Sequence, residues 1–231
     1  MSTDLKELSN FFDLSKTEHG HIYEDVELPW EVIPKISKLA ENNKAEINGT
    51  IKSGVSIKGE VKVGEGTKIM ANAVIEGPAI IGKGCTVRPG AFIRGNVILG
   101  DNVVIGHSSE IKNSLIHDEA EIPHFSYVGD SIIGWKGHLA AGVKVSNLKI
   151  NREPVVVKTK ERNFSTGLRK FGCILGDKVE IGCNSVLNPG TLVGKETLAM
   201  ANTSLSGYYR PRSFIKLRQN TQVVKRREKG Q

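Results

Sequence analysis

Cysteine is scarce in the 231-residue chain, and Cys85, Cys173 and Cys183 are widely spaced and odd in number. A disulfide framework is therefore excluded, and a reducing compartment is expected. No stretch approaches the ~20 apolar residues of a membrane span, and no apolar run follows a basic start, so the expected setting is cytoplasmic. An excess of charge of one sign is missing from most of the chain. The net +7 resides in residues 208–231, where Arg210, Arg212, Lys216, Arg218, Lys225, Arg226, Arg227 and Lys229 face the single acid Glu228. No aromatic residue follows Phe214 in that basic tail and no nucleic-acid motif accompanies it, so nucleic acid is not an expected partner. A solvated terminal helix is expected for the last seven residues.

The middle of the chain also lacks hairpin turn clusters and a 3.6-residue apolar rhythm. A period of six stands there instead. Residues 51 to 128 divide into thirteen units, from IKSGVS to PHFSYV, with Ile, Val or Leu first in eleven of them. The fifth position is small or β-branched over most of the run: Val55, Val61, Thr67, Ala73, Ala79, Cys85, Ala91, Val97, Val103, Ser109 and Leu115. A six-residue period drifts around a helix and gathers no stripe. It is the mark of a parallel β-helix, in which three short strands make one coil and the coils stack. The first-position aliphatics are expected inside, with the small fifth residues at the corners.

The flanks break the pattern. In residues 1–46, Trp30, Ile33, Ile36 and Leu39 recur at helical spacing behind Pro29. This predicts a helix over 30–42 that caps the open end of the coil stack. His19 and His21, without further ligands nearby, read as loop residues. After Val128 the register shifts at GDSI, and residues 150–172 lose the hexads and read as an ejected loop. Hexads return from Leu175 to Ser204, so the repeat domain is placed at 47–207 and a basic tail at 208–231.

Three units to a coil stack residues eighteen apart. On one outward column this gives Lys52, Met70, Arg88, Gly106 and His124, with Arg88 and His124 roughly 10 Å apart across a glycine. A guanidinium suited to phosphate and an imidazole suited to proton transfer would then bracket a small ligand. The alternative is a solvated column.

The segments CTVRPGAFIRG (85–95), SSEIKNSLI (108–116) and PHFSYVGDSIIG (123–134) resemble the acetyltransferase domain of the bifunctional N-acetylglucosamine-1-phosphate uridyltransferase and glucosamine-1-phosphate N-acetyltransferase, a hexapeptide-repeat transferase of UDP-N-acetylglucosamine biosynthesis. The resemblance runs from about residue 50 to 218. It implies a left-handed coil, a homotrimer with sites between subunits, acetyl-CoA as co-substrate, and an amino-sugar phosphate or sugar nucleotide as acceptor. It makes His124 the general base, sets Arg88 and Lys112 on the sugar phosphate, and sets Tyr127 and Asn147 on the sugar. It brings Ala201 and Arg218 to the coenzyme. His138 stands where the family has an asparagine near the transferred acetyl group, and Cys183 where it has a coenzyme-contacting serine. No glycine-rich nucleotide loop is present, and the stretch ahead of the repeats is expected to be too short for the nucleotidyl-transfer domain.

Two other classes remain open. His107, His117, His124 and His138 raise a zinc site like that of the gamma-class carbonic anhydrases, although no pair has that family's four-residue gap. A non-catalytic trimeric sensor of sugar nucleotides, or a scaffold, is the other.

Overall fold

Two- to four-residue extended segments, each carrying one inward aliphatic side chain, are too short to be stable singly and gain their hydrogen bonds by stacking. A computed structural model describes residues 5–225 and shows these segments wound into a parallel β-helix with three faces. The first face holds nine strands, from Thr50–Ile51 to Phe214–Ile215. The second runs from Ser56–Lys58 to Ser204–Leu205, and the third from Glu46–Ile47 to Tyr208–Tyr209. Phe92–Leu99 and Glu110–Ile116 turn the edge between the second and third faces as continuous strands. Inside, Ile69, Ile75, Ile81, Val87, Ile93, Leu99, Ile105 and Ile111 are each at most 1% exposed. Each such side chain contributes about 1.5–3 kcal/mol by leaving water. Among the described residues no helix is long and apolar enough to cross a membrane.

The hexad phase fails one coil earlier than the sequence suggests. Lys112 pairs with Arg94, eighteen residues below, but Ser114 pairs with Val97, seventeen below. One residue is missing at that edge, so Ser114 takes the small corner position and Ile116 the inward position, in place of Leu115 and His117. The shortened spacing recurs between Val128 and Ile133, whose partners are Ile111 and Ile116. His124 consequently pairs with His107, not with the Arg88–Gly106 column. Gly106 instead lies beneath Pro123, where an added Cβ would stand 1.6 Å from the Pro123 carbonyl oxygen.

The N-terminal segment does not cap the end of the stack. Its α-helix is Ile33–Glu41, entered through a 3-10 turn at Pro29–Val32. The helix lies against the third face, while Ile47 and Ile51 of the first coil stay 44% and 36% exposed. The cause is the outward side of that face, a column of Ile80, Ile98, Leu115, Ile132, Ile174 and Leu192 that needs cover. Leu5, Phe11, Phe12, Trp30, Ile33 and Ile36 supply it as a strap. Two buried polar contacts stitch the strap down. Tyr23 Oη meets His117 Nε2 at 2.8 Å, and Asp177 accepts the backbone N–H groups of Asp13 at 2.6 Å and Trp135 at 2.9 Å.

Residues 150–172 leave the stack but do not hang free. Val156–Lys158 pairs antiparallel with Asn163–Ser165. Val155, Val157 and Phe171 are buried beside Trp30 and Leu192, so this hairpin completes the cover of the third face. The coil also continues beyond residue 207, because Tyr208–Tyr209 and Phe214–Ile215 pair with the strands below them. Arg226, Arg227, Glu228 and Lys229, with the terminal helix expected there, lie outside the described residues.

Candidate active site

The edge between the first and second faces is a line of corner residues: Pro89, His107, His124, Ala141, Cys183 and Ala201. Backbone bonds from each following residue to the coil below set their register, from Ser108 N to Pro89 O (3.4 Å), Phe125 N to His107 O (3.0 Å) and Gly142 N to His124 O (2.9 Å). Asn184 N to Ala141 O (2.9 Å) and Asn202 N to Cys183 O (2.8 Å) continue it. The edge thus gathers His124, Cys183 and Ala201, with His124 and Ala201 three coils or ~14 Å apart. Above His124 the side chains are small, leaving a shallow track along the edge. Cys183 is an exposed thiol on that track.

Beneath His124, His107 is held by one ring nitrogen. Its Nδ1 lies 2.7 Å from the Pro89 carbonyl oxygen, which can only accept, so Nδ1 carries a proton, and Nε2 lies 3.2 Å from Ser108 Oγ. The exposed Phe125 ring stands edge-on to His107, at 5.4 Å between centroids. Among the described residues no group of three His, Cys, Asp or Glu side chains could hold a metal ion.

The second face carries Tyr127 just past that edge and brings it together with Lys112 and Asn147 at its far side, where the chain turns to the third face. Asn147 Nδ2 donates to Tyr127 Oη at 3.2 Å and also to Asp130. Lys112 Nζ lies 3.8 Å from Asp130 Oδ2. Burial, followed by the negative charges of Asp130 and Glu110, raises the Tyr127 phenol above its ordinary range, so it stays a hydroxyl. One coil below Lys112 is Arg94, whose Nη1 pairs with Glu110 Oε1 at 3.1 Å. Arg94, Asn96, Lys112 and Asn113 line an open groove of about 390 Å³.

Three residues fall elsewhere. Arg88 follows Val87 on the first face, its N–H donating to Ile105 O at 2.8 Å, and is thus separated from Lys112 by the edge. His138 is also on the first face, where its Nδ1 meets Glu180 Oε2 at 2.7 Å. Arg218 is exposed in the chain after the last strand. Arg94 and Asp130 were passed over in the sequence. Arg94 is found by counting eighteen back from Lys112, whereas nothing in the local pattern marks Asp130 as buried.

The family model described as the GMPPB C-terminal domain matches residues 75–199, more than half of the chain. The chain belongs to this family. Among curated relatives, the bifunctional protein GlmU of Methanococcus maripaludis is 41% identical over 223 residues, which is 96% of this chain and 54% of the relative. The bifunctional sugar-1-phosphate nucleotidylyltransferase/acetyltransferase of Sulfurisphaera tokodaii is 36% identical over 179 residues, covering 77% of this chain and 44% of that protein. The chain thus spans about half the length of the curated relatives it matches. A solved structure of perosamine N-acetyltransferase from Caulobacter crescentus has a TM-score of 0.31 at 14% identity, covering 71% of this chain and 55% of that one. The resemblance read in the RPGA, EIKN and HFSYVGDS segments is therefore present at the level of the whole chain.

Proposed function

We propose that the chain is an acetyl-CoA-dependent N-acetyltransferase acting on an amino-sugar phosphate or sugar nucleotide, with His124 as general base. The observation that carries this reading is that two different surfaces border the second face, one along its edge with the first face and one reaching toward its edge with the third. A track of small residues, Ala141, Cys183 and Ala201, suits the narrow arm of a coenzyme. A polar cluster around the corner suits a sugar and its phosphate. His124 stands on the edge that bears the track, three residues before Tyr127 of the cluster.

In the reaction so read, His124 takes a proton from the sugar amine, the nitrogen attacks the thioester carbonyl, and the carbon–sulfur bond breaks to release coenzyme A thiol. Lys112, Tyr127 and Asn147 hold the acceptor. The cation beside Lys112 is Arg94, in the place that the motif reading gives to Arg88. Arg88 and His138 on the first face, and Arg218 beyond the last strand, would then act from a neighbouring copy or at the distal end of the coenzyme. The name of the Sulfurisphaera tokodaii relative, which joins sugar-1-phosphate chemistry to acetyl transfer, supports the same class.

A homotrimer, placed in the cytoplasm, goes with this reading. The strap and the insertion cover the third face, so the first two faces are the ones open to another copy. Sedimentation at micromolar concentration is expected to show three chains together, and a monomer alone would remove the inter-subunit site.

The central test is thiol release with glucosamine-1-phosphate and glucosamine side by side. His124→Ala is expected to lower the rate by about two to four orders of magnitude while leaving acetyl-CoA affinity intact. Absence of thiol release by the wild type with every amino-sugar phosphate would favour the non-catalytic sensor or scaffold. A full rate in the variant would move the base elsewhere, with His107 next in line.

A further inference from the structure

Building on the acetyl-transfer reading, we infer that Asp130 is a positioning residue that fixes which hydrogen-bonding groups the acceptor cleft presents to its ligand. Asp130 is 4% exposed and has φ 51°, at the second of the two shortened edges. Its side chain turns beneath the cleft, where Oδ1 accepts from Asn113 Nδ2 at 2.8 Å and Oδ2 accepts from Asn147 Nδ2. The same Oδ2 is 3.8 Å from the Lys112 ammonium. Its backbone joins two further pieces, with N–H donating to Lys112 O at 3.0 Å and C=O accepting from Gly172 N at 2.9 Å. Asp130 therefore sits at the root of the insertion, between the point where the chain leaves the stack and the point where it returns.

A carboxylate accepts and cannot donate, so both asparagines must turn their NH₂ groups toward it. Their carbonyl oxygens are then turned away from Asp130, as acceptors. Asn147 gives its second N–H to Tyr127 Oη, which uses a lone pair of that oxygen and leaves the phenolic hydrogen free to donate. Tyr127 is kept protonated by its burial and by the nearby acids. Charge on Asp130 also draws Lys112 toward the cleft, where its ammonium can still meet an anion. The cleft so ordered shows two carbonyl acceptors, one hydroxyl donor and one ammonium. That set matches a polyol or amine bearing a phosphate. A buried charge left without such donors would be strongly unfavourable, so the orientation of all four groups is tied to the one carboxylate.

Asp130→Asn keeps the size but turns an NH₂ against an asparagine NH₂. The expected result is a rise of at least tenfold in KM for glucosamine-1-phosphate, with KM for acetyl-CoA unchanged and the far-UV circular dichroism of the wild type retained. Asn113→Ala removes one amide and spares the carboxylate, and should raise the same KM by a smaller factor. An acceptor KM that is unchanged in both variants, or that rises in step with the acetyl-CoA KM, overturns the inference. If Asp130→Asn does not fold, Asn113→Ala decides alone. Wild type that releases no thiol would instead sink the acetyl-transfer reading. Calorimetric titration with glucosamine-1-phosphate then tests the positioning: equal affinity in wild type and Asn113→Ala, or no binding by wild type, overturns it.

Discussion

At the scale of single residues, the two arginines near the RPGA segment separate motif from geometry. Arg88 belongs to the motif, whereas Arg94 lies directly below Lys112. Arg94→Ala should therefore raise KM for glucosamine-1-phosphate by about tenfold to a hundredfold, since a charge-assisted contact to phosphate is lost, and should barely change the weaker reaction of glucosamine. Arg88→Ala should have the smaller effect on that ratio. Steady-state kinetics with both acceptors decide the matter, and the reverse order would return the phosphate to Arg88. His124, Lys112 and Tyr127 could be picked out as candidates because each sits in a short segment of distinctive spelling, whereas Asn147 stands outside those segments. Their neighbours could not, because which residue lies under Lys112 depends on the length of a whole coil. A single missing residue at 112–114 is invisible to a window of six.

At the scale of elements, the strap is the part least legible in the sequence. Its helix could be read from the spacing of Trp30, Ile33 and Ile36, but its seat could not. That seat is set by outward isoleucines and leucines such as Ile98 and Leu115, which a repeat pattern records only as variable positions. Its two polar latches respond to acid in opposite senses. Burial lowers the His117 imidazole to about 3, from an ordinary 6.5. The unfolded chain then binds more protons between those values, so stability falls as pH drops through the window. Burial raises the Asp177 carboxyl to about 6, from an ordinary 3.8. Here the folded chain holds the extra proton, so stability rises as pH drops from 6 toward 4. Between pH 6 and pH 4 the two partly cancel. Asp177→Asn removes the compensating group, and its melting temperature should fall more steeply over that range than the wild type's. Parallel slopes by circular dichroism would show that these latches do not control acid stability.

For the whole molecule, the period of six was enough to define the architecture, since no other fold needs an aliphatic residue at every sixth position for so long. The hand of the coil was not in the periodicity, because a left-handed and a right-handed stack present the same inward column. Interior positions do follow from the repeat, and Ile81 is 1% exposed in the centre of the core. Ile81→Asp should unfold the protein or lower its melting temperature by more than 10 °C, because an uncompensated carboxylate in that interior is among the largest single-site penalties. A melting curve that overlays the wild type would show the inward register to be misassigned.

The two seventeen-residue coils make the solenoid act like a vernier scale. Removing one residue at an edge leaves every inward side chain seated, because the corner absorbs the loss, yet it slides the outward columns of adjoining faces past one another by a step. Here one such step parted His124 from the column of Arg88 and set it over His107. In a fold of this kind, a deletion at a corner can change which side chains meet around an edge while the core beneath is undisturbed.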